Sequence, residues 1–232
     1  MNDARANATV YKAVVMAANT VVWTLDLARI RNRIRREAGL KALLGPAERA
    51  RAAQFADADQ SEFYTAAHVG LRTILIQRCG TKIAGQDFAT TPNGKPFLPG
   101  GPDFNMSRSG SLGVVAVSDE SSVGIDIERK RAIAIGDWPV RYPVLRLFST
   151  SADDGPEAFL QGWVRLEAWC KRRALALSPL LDRDEDELLR NDRDSERLDP
   201  ASELSRLDVP SSYLAWCACD LGGGIRQNLL DL

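Results

Sequence analysis

The chain has 232 residues, of which 45% are hydrophobic and 26% charged, and this length and composition fit one large domain or two small packed units. Its 30 Lys and Arg residues nearly balance 31 Asp and Glu residues, so no overall positive field favours nucleic acid. The single histidine, His68, excludes a histidine-rich zinc site, and no apolar run is long enough to cross a membrane.

The four cysteines include no C-x-x-C pair, which argues against a cysteine-based zinc or redox centre. Cys217 and Cys219 alternate within an apolar run and are predicted to pack as small hydrophobic residues in a strand. This sparing use of cysteine indicates a reducing, cytoplasmic setting.

The first quarter of the chain predicts strands followed by helices. Residues 10–18 and 20–27 are rich in β-branched residues and favour strands. Residues 29–38 carry five arginines with little apolar periodicity, which predicts a solvated helix face or a loop. Pro46 suits the first turn of a further helix, which is predicted to end near Phe55.

A longer helix is predicted next, with Asp59 as its N-cap and an apolar stripe that continues to Leu75. His68 lies on this stripe. A histidine in such a position is expected to pack or to face solvent rather than to act in catalysis.

The rest of the chain predicts a hairpin reversal at Asn93-Gly94 and then a mixture of strands and helices. The predicted strands are 103–107, 114–117, 123–128 and 212–219. The predicted helices are 140–148 and 157–177. Residues 182–200 are dense in Asp, Glu and Arg and are predicted to form an exposed insertion. The simplest architecture is an α+β fold of two halves of comparable length, 1–118 and 119–232, each with a long helix packed on a small antiparallel sheet.

The densest chemical signal is the sequence Val-Gly-Ile-Asp-Ile-Glu at 123–128. Residues two apart on a strand share a face, so Asp126 and Glu128 are predicted on one face while Ile125 and Ile127 enter the core. Two neighbouring carboxylates need a cation, a proton or a basic partner, and such hard oxygen ligands suit Mg²⁺. The alternative is an exposed edge strand paired with the basic residues that follow it.

A second signal lies on the predicted helix 157–177, where Trp163, Glu167 and Lys171 recur at intervals of four and so lie near one helix face. Glu167 could add a carboxylate to a metal site or act as a general base, and Lys171 could bind phosphate. The alternative is an ordinary surface Glu–Lys pair.

A third signal is the sequence Ser-Arg-Ser at 107–109, where a strand enters a Ser/Gly-rich turn. The hydroxyls of Ser107 and Ser109 and the guanidinium of Arg108 could cradle a phosphate. The segment is not a Walker loop, and the alternative is a simple hairpin turn.

Taken in order, four segments resemble the Sfp-type 4'-phosphopantetheinyl transferases. They are Gly-Lys-Pro at 94–96, Phe-Asn-Met-Ser-Arg-Ser at 104–109, Gly-Ile-Asp-Ile-Glu at 124–128, and the Trp, Glu and Lys of 163–171. The likeness extends from about residue 23 to residue 177.

The resemblance implies two similar α+β halves with coenzyme A and Mg²⁺ in the cleft, and a carrier-protein serine that attacks the β-phosphate of coenzyme A. It implies that Asp126, Glu128 and Glu167 hold Mg²⁺, that Glu167 or a metal-bound water takes the serine proton, and that Lys171 stabilises the phosphate leaving group. The residues that the resemblance assigns to coenzyme A are Lys95, Pro96, Ser107, Arg108, Ser109 and Lys171. The expected protein is a cytoplasmic monomer of secondary metabolism with an acyl or peptidyl carrier protein as its partner.

The chain also departs from the family pattern on the side that binds phosphate. Arg108 stands where the family has histidine, Leu166 where it has lysine, and Glu62 lies in a segment that is often basic. Two interpretations therefore stay open. The protein is a working transferase, or it keeps the fold and instead binds a carrier protein or acts on a carrier-tethered intermediate.

Overall fold

The computed structural model describes residues 20–181, 200–220 and 224–231. The predicted strand at 10–18 and nearly all of the predicted insertion at 182–200 lie outside these residues. The described part is an α+β fold, as predicted, with two larger sheets and one small hairpin. None of the described helices has the length and hydropathy that a membrane crossing requires.

The first sheet has four strands in the order β4, β5, β1, β9. Their bounds are β1 Thr20–Asp26, β4 Asp103–Ser109, β5 Leu112–Ser118 and β9 Ile225–Leu229. The neighbours β4, β5 and β1 are antiparallel, whereas β9 runs parallel to β1 and pairs Ile225 with Thr20. The end of the described chain therefore belongs to the first sheet, and the division at residue 118 stays a prediction.

Three helices accompany the first sheet, and the longest of them packs its buried side chains against the sheet. Their bounds are α1 Leu27–Arg36, α2 Pro46–Ala53 and α3 Ala58–Cys79. Short 3-10 helices lie at Ala38–Leu43 and Thr81–Ile83, and strands β2 Ala89–Thr90 and β3 Pro96–Phe97 form the hairpin. The predicted reversal is confirmed, because Gly94 adopts φ +82° in the turn between β2 and β3.

Two details of these helices differ from the predictions. Helix α1 is amphipathic rather than purely solvated, since Leu27, Ile30 and Ile34 are buried between the arginines. The N-cap of α3 is Asp57 and not Asp59, because Asp57 has extended backbone angles and its side chain accepts from the backbone N–H of Gln60.

The second sheet has three antiparallel strands in the order β6, β8, β7. Their bounds are β6 Gly124–Arg129, β7 Leu204–Arg206 and β8 Tyr213–Ala218. The helices of this part are α4 Trp138–Arg141, α5 Val144–Phe148, α6 Pro156–Arg172 and α7 Ser178–Leu181, with a 3-10 helix at Pro200–Glu203. The prediction that Cys217 and Cys219 pack as small hydrophobic residues is confirmed, since both are fully buried.

The two helices predicted for this part are shorter than expected, for local backbone reasons. Residues 140–148 divide into α4 and α5 because Pro143 keeps the preceding Tyr142 out of the helical region, at φ −135°. Helix α6 ends at Arg172 rather than at residue 177, and Ala174 just beyond it has a left-handed φ of +50°.

Candidate active site

Strand β6 lies directly against helix α6, and a glycine makes this approach possible. A Cβ atom at Gly124 would lie 2.0 Å from the carbonyl oxygen of Ala168 and 2.3 Å from the backbone nitrogen of Arg172. Only a residue without a side chain fits there. The close contact brings Asp126 of β6 beside Lys171 of α6.

Asp126 is the central buried carboxylate of the site, with 2% of the residue exposed. Its Oδ1 accepts hydrogen bonds from Ser107 Oγ at 2.6 Å and from Lys171 Nζ at 2.5 Å. Its Oδ2 is buried and has no hydrogen-bond partner among the described residues. Burial raises the pKa of Asp126 to about 7, against the opposing charge of Lys171.

Lys171 bridges two carboxylates, because its Nζ also lies 3.1 Å from Glu167 Oε2, one helical turn away. Burial opposes the charge of this ammonium, but the carboxylates of Asp126 and Glu167 raise the pKa of Lys171 above its usual value. The i, i+4 spacing seen in the sequence thus places Glu167 and Lys171 together.

Glu128 shares the strand face of Asp126, as the alternation predicts, but other residues hold its side chain. Its Oε2 accepts from Ser109 Oγ at 2.8 Å and from Arg131 Nη1 at 2.9 Å. Across residues 20–181, 200–220 and 224–231, no three His, Cys, Asp or Glu side chains are grouped as a metal site. The three-carboxylate set therefore stays a prediction.

The arrangement of Asp126 and Glu167 nevertheless fits a hard divalent cation. Asp126 offers a buried oxygen with no partner in the described chain, and Glu167 shares the Lys171 ammonium with Asp126. A buried carboxylate oxygen without a partner is costly, and a cation is one means of satisfying it. Mg²⁺ commonly binds through one or two carboxylates together with substrate phosphate oxygens.

Arg108 lies half-buried at the end of β4. It donates to Gln60 Oε1 at 3.3 Å and its guanidinium lies 5.9 Å from the centre of the Phe55 ring. Arg51 lies 5.2 Å from the centre of the same ring. In the described part of the chain, neither arginine has a carboxylate within ion-pair distance, so both remain available to an anion.

Lys95 and Pro96 point in different directions from the β2–β3 hairpin. Lys95 Nζ donates to Asp103 Oδ2 at 2.6 Å and to the carbonyl oxygen of Val123 at 2.9 Å, and its side chain is 9% exposed. Pro96 lines a cavity of about 460 Å³ beside β4. The assignment of both residues to coenzyme A stays a prediction.

This cavity contains a buried network that the sequence did not reveal. Glu48 of α2 accepts from Arg72 Nε at 3.0 Å and lies 2.8 Å from His68 Nδ1. The ring of Tyr64 packs on that of His68, with centroids 4.1 Å apart. The histidine therefore has a packing role in the cavity wall, as expected, and its carboxylate partner is 20 positions away in the sequence.

Comparisons with known proteins show which proteins this chain resembles in sequence. No family model matches the sequence. A Bacillus subtilis protein named 4'-phosphopantetheinyl transferase is 33% identical over 119 residues, which cover 48% of this chain and 52% of the relative. The 4'-phosphopantetheinyl transferase Sfp of Bacillus subtilis strain 168 is 25% identical over 147 residues, or 61% of this chain and 65% of the relative. The chain is related to the 4'-phosphopantetheinyl transferases.

The resemblance seen in the sequence motifs is thereby confirmed, for a divergent relative of the 4'-phosphopantetheinyl transferases. The chain spans between half and two thirds of the length of these relatives.

Of the three departures from the motif pattern, Leu166 is fully buried in the core around α6, so no charge reaches the site from that position. Glu62 is paired with Arg35 on the surface at 2.5 Å.

Proposed function

We propose that this protein transfers the 4'-phosphopantetheine arm of coenzyme A to a serine of an acyl or peptidyl carrier protein, in an Mg²⁺-dependent reaction of secondary metabolism. The observation that carries the proposal is the cluster of Asp126, Glu167 and Lys171, in a chain related to proteins of that name. We also infer that it acts as a cytoplasmic monomer, with neither nucleic acid nor a membrane as its partner.

Asp126 and Glu167 would hold Mg²⁺, with Glu128 as the third ligand that the resemblance implies. When bound, the ion supplies positive charge next to the pyrophosphate of coenzyme A. The Oδ2 atom of Asp126 supports this assignment, since no described residue gives it a hydrogen bond.

The protein's own side chains would handle the proton and the leaving group. The carrier serine oxygen forms a bond to the β-phosphorus while the bond from that phosphorus to the bridging oxygen breaks, and adenosine 3',5'-bisphosphate leaves. Glu167 accepts the serine proton, since its carboxylate lies in the cluster and a carboxylate can act as a general base. Lys171 stabilises the negative charge that develops on the leaving phosphate.

Arg108 and Arg51 would bind the phosphate groups of coenzyme A. Their guanidiniums lie near the Phe55 ring and have no carboxylate partner among the described residues. Arginine binds phosphate through paired hydrogen bonds, so Arg108 can serve where the family motif has histidine.

A second candidate function is a carrier-binding protein that transfers nothing. One observation favours it: Lys171 already neutralises Asp126, and Ser109 and Arg131 already satisfy Glu128. In that case the carboxylates would need no metal, and the cluster would stabilise the fold.

The deciding experiment is mass spectrometry of apo-carrier proteins after incubation with the protein, coenzyme A and Mg²⁺. Transfer adds the mass of phosphopantetheine to the carrier, and Glu167→Gln should abolish this gain. The matched control is Glu157→Gln on the same helix. The Glu157 carboxylate lies away from the cluster and pairs with Lys130 Nζ at a distance of 2.6 Å. If a panel of carrier proteins binds without gaining mass, the carrier-binding function is correct and the transferase is not.

A further inference from the structure

Side chains of β4 connect the two sheets in a regular series. Asp103 Oδ2 accepts from Val123 N at 2.7 Å, and Asn105 Oδ1 accepts from Ile125 N at 3.1 Å. Two serines continue the series along the same face of β4. Because β4 and β6 belong to different sheets, these side chains take the place of a backbone ladder between them.

The two serines end on the acidic residues of the site. Ser107 Oγ donates to Asp126 Oδ1 at 2.6 Å, and Ser109 Oγ donates to Glu128 Oε2 at 2.8 Å. The hydroxyl of Ser109 also accepts from the backbone N–H of Arg129 at 3.0 Å. The register of this series thus assigns each serine one carboxylate.

A serine hydroxyl has a single hydrogen to donate. Once Ser107 gives this hydrogen to Asp126, only its lone pairs remain, and lone pairs do not attract a phosphate oxygen. The geometry therefore separates Ser107 from Arg108, whose N–H groups can still reach an anion.

The bond from Ser107 also decides which oxygen of Asp126 is free. Ser107 and Lys171 both donate to Oδ1, and Oδ2 is left buried without a partner among the described residues. A carboxylate held at one oxygen by two donors has its other oxygen fixed in direction, which is the arrangement expected of a metal ligand supported by neighbouring groups.

We propose that Ser107 is a positioning residue that orients Asp126 toward the bound cation, rather than a direct ligand of phosphate. This inference rests on the metal site of the proposed function. It places Ser107 in a role distinct from that of Arg108, although the two are neighbours in the sequence.

The test measures binding of Mn²⁺ by electron paramagnetic resonance in the absence of coenzyme A, with Mg²⁺ as the competitor. Ser107→Ala should weaken Mn²⁺ binding by about tenfold or more, the usual effect of removing a group that supports a metal ligand. Ser107→Thr, which keeps the hydroxyl, should stay within about threefold of the parent protein on the same grounds. The matched control is Ser61→Ala, since Ser61 Oγ donates to the backbone oxygen of Ala52, away from the site.

A second measurement tests the phosphate role directly. Binding of adenosine 3',5'-bisphosphate without metal, measured by calorimetry, should be unchanged in Ser107→Ala and weakened in Arg108→Ala. Unchanged Mn²⁺ affinity in Ser107→Ala, or an equal loss in Ser107→Thr and Ser107→Ala, would overturn the proposal. If Ser107→Ala does not fold, Ser107→Cys, with its weaker donor, replaces it in the same comparison.

The outcome is separate from that of the proposed function. Mn²⁺ binding that depends on Ser107 in a protein that transfers no phosphopantetheine would reject the transferase and keep this inference. Transfer activity with no effect of Ser107→Ala on Mn²⁺ binding would do the reverse. A parent protein that binds no Mn²⁺ would reject both the metal site and the role of Ser107.

Discussion

The ammonium of Lys171 lies 2.5 Å from Oδ1 of Asp126 and so occupies the position of a counter-ion at the candidate metal site. The same ammonium lies 3.1 Å from Glu167 Oε2. A divalent cation that binds to these two carboxylates must therefore compete with a positive charge that belongs to the protein.

Replacing this ammonium should make metal binding tighter. Lys171→Met removes the competing charge and should increase Mn²⁺ affinity by roughly tenfold, because like charges a few ångströms apart repel strongly in a partly buried site. Without metal the variant should unfold at a lower temperature than the parent, and added Mn²⁺ should restore more stability to the variant. Lys130→Met, which removes a surface Lys–Glu pair, is the control. Weaker Mn²⁺ binding in Lys171→Met would contradict the idea of competition.

The contact of β6 with α6 should not tolerate a side chain at Gly124. Gly124→Ala places a methyl group 2.0 Å from the carbonyl oxygen of Ala168, so the strand or the helix must move. We expect a loss of about 3 kcal/mol in the free energy of unfolding, measured with urea. Gly39→Ala is the matched control, because a Cβ atom there meets no heavy atom of the described residues within 4 Å beyond its own stretch of backbone. Equal stability of the two variants would show that the helix can shift without cost.

The end of α6 offers a stabilising substitution. Ala174 has φ +50°, a backbone conformation that costs alanine about 1–2 kcal/mol but costs glycine little. Glycine also adds conformational entropy to the unfolded chain, which offsets part of this gain. Ala174→Gly should therefore raise the free energy of unfolding by a net amount of about 0.5 kcal/mol. Ala50→Gly on the exposed face of α2 should instead lower it by about 0.5–1 kcal/mol. A lower midpoint for Ala174→Gly in urea would refute this assignment.

The buried carboxylate of Glu48 should contribute to stability in a pH-dependent manner. Burial opposes its ionisation, but hydrogen bonds from His68, Gly45 and Arg72 and the charge of His68 together lower the pKa of Glu48 below 4.5. A carboxyl group whose pKa is lower in the folded state stabilises the protein above its unfolded pKa and loses this effect as the pH falls through the folded value. Unfolding midpoints measured from pH 6 to pH 3 should therefore decrease less steeply in Glu48→Gln than in the parent. Glu157→Gln, at an exposed position, should follow the parent, and a parallel decrease in Glu48→Gln would count against the network.

The sequence predicted the site where local spacing determines geometry. The alternation in 123–128 predicted Asp126 on the strand face opposite the core residues Ile125 and Ile127, and the four-residue interval predicted the contact of Glu167 with Lys171. Both relationships follow from the periods of a strand and of a helix. The hairpin at Gly94 was likewise evident from its residue type.

Contacts between distant segments were not predictable in the same way. The motif that contains Lys95 did not indicate that its ammonium bonds to Asp103 and to the backbone of Val123. The partners of Glu48 lie 20 and 24 positions away, and nothing in their local spacing points to it. Such pairs arise from packing of the helices on the sheet, which single-sequence patterns do not encode.

The parallel pairing of β1 with β9 has a consequence for how the chain folds. Thr20 pairs with Ile225, so the first sheet joins residues from opposite ends of the described chain. Pairings between such distant residues raise the contact order and slow folding. During synthesis, one edge of β1 stays unpaired until residues 225–229 leave the ribosome. The first sheet is therefore completed only after the second sheet and α6 have been synthesised.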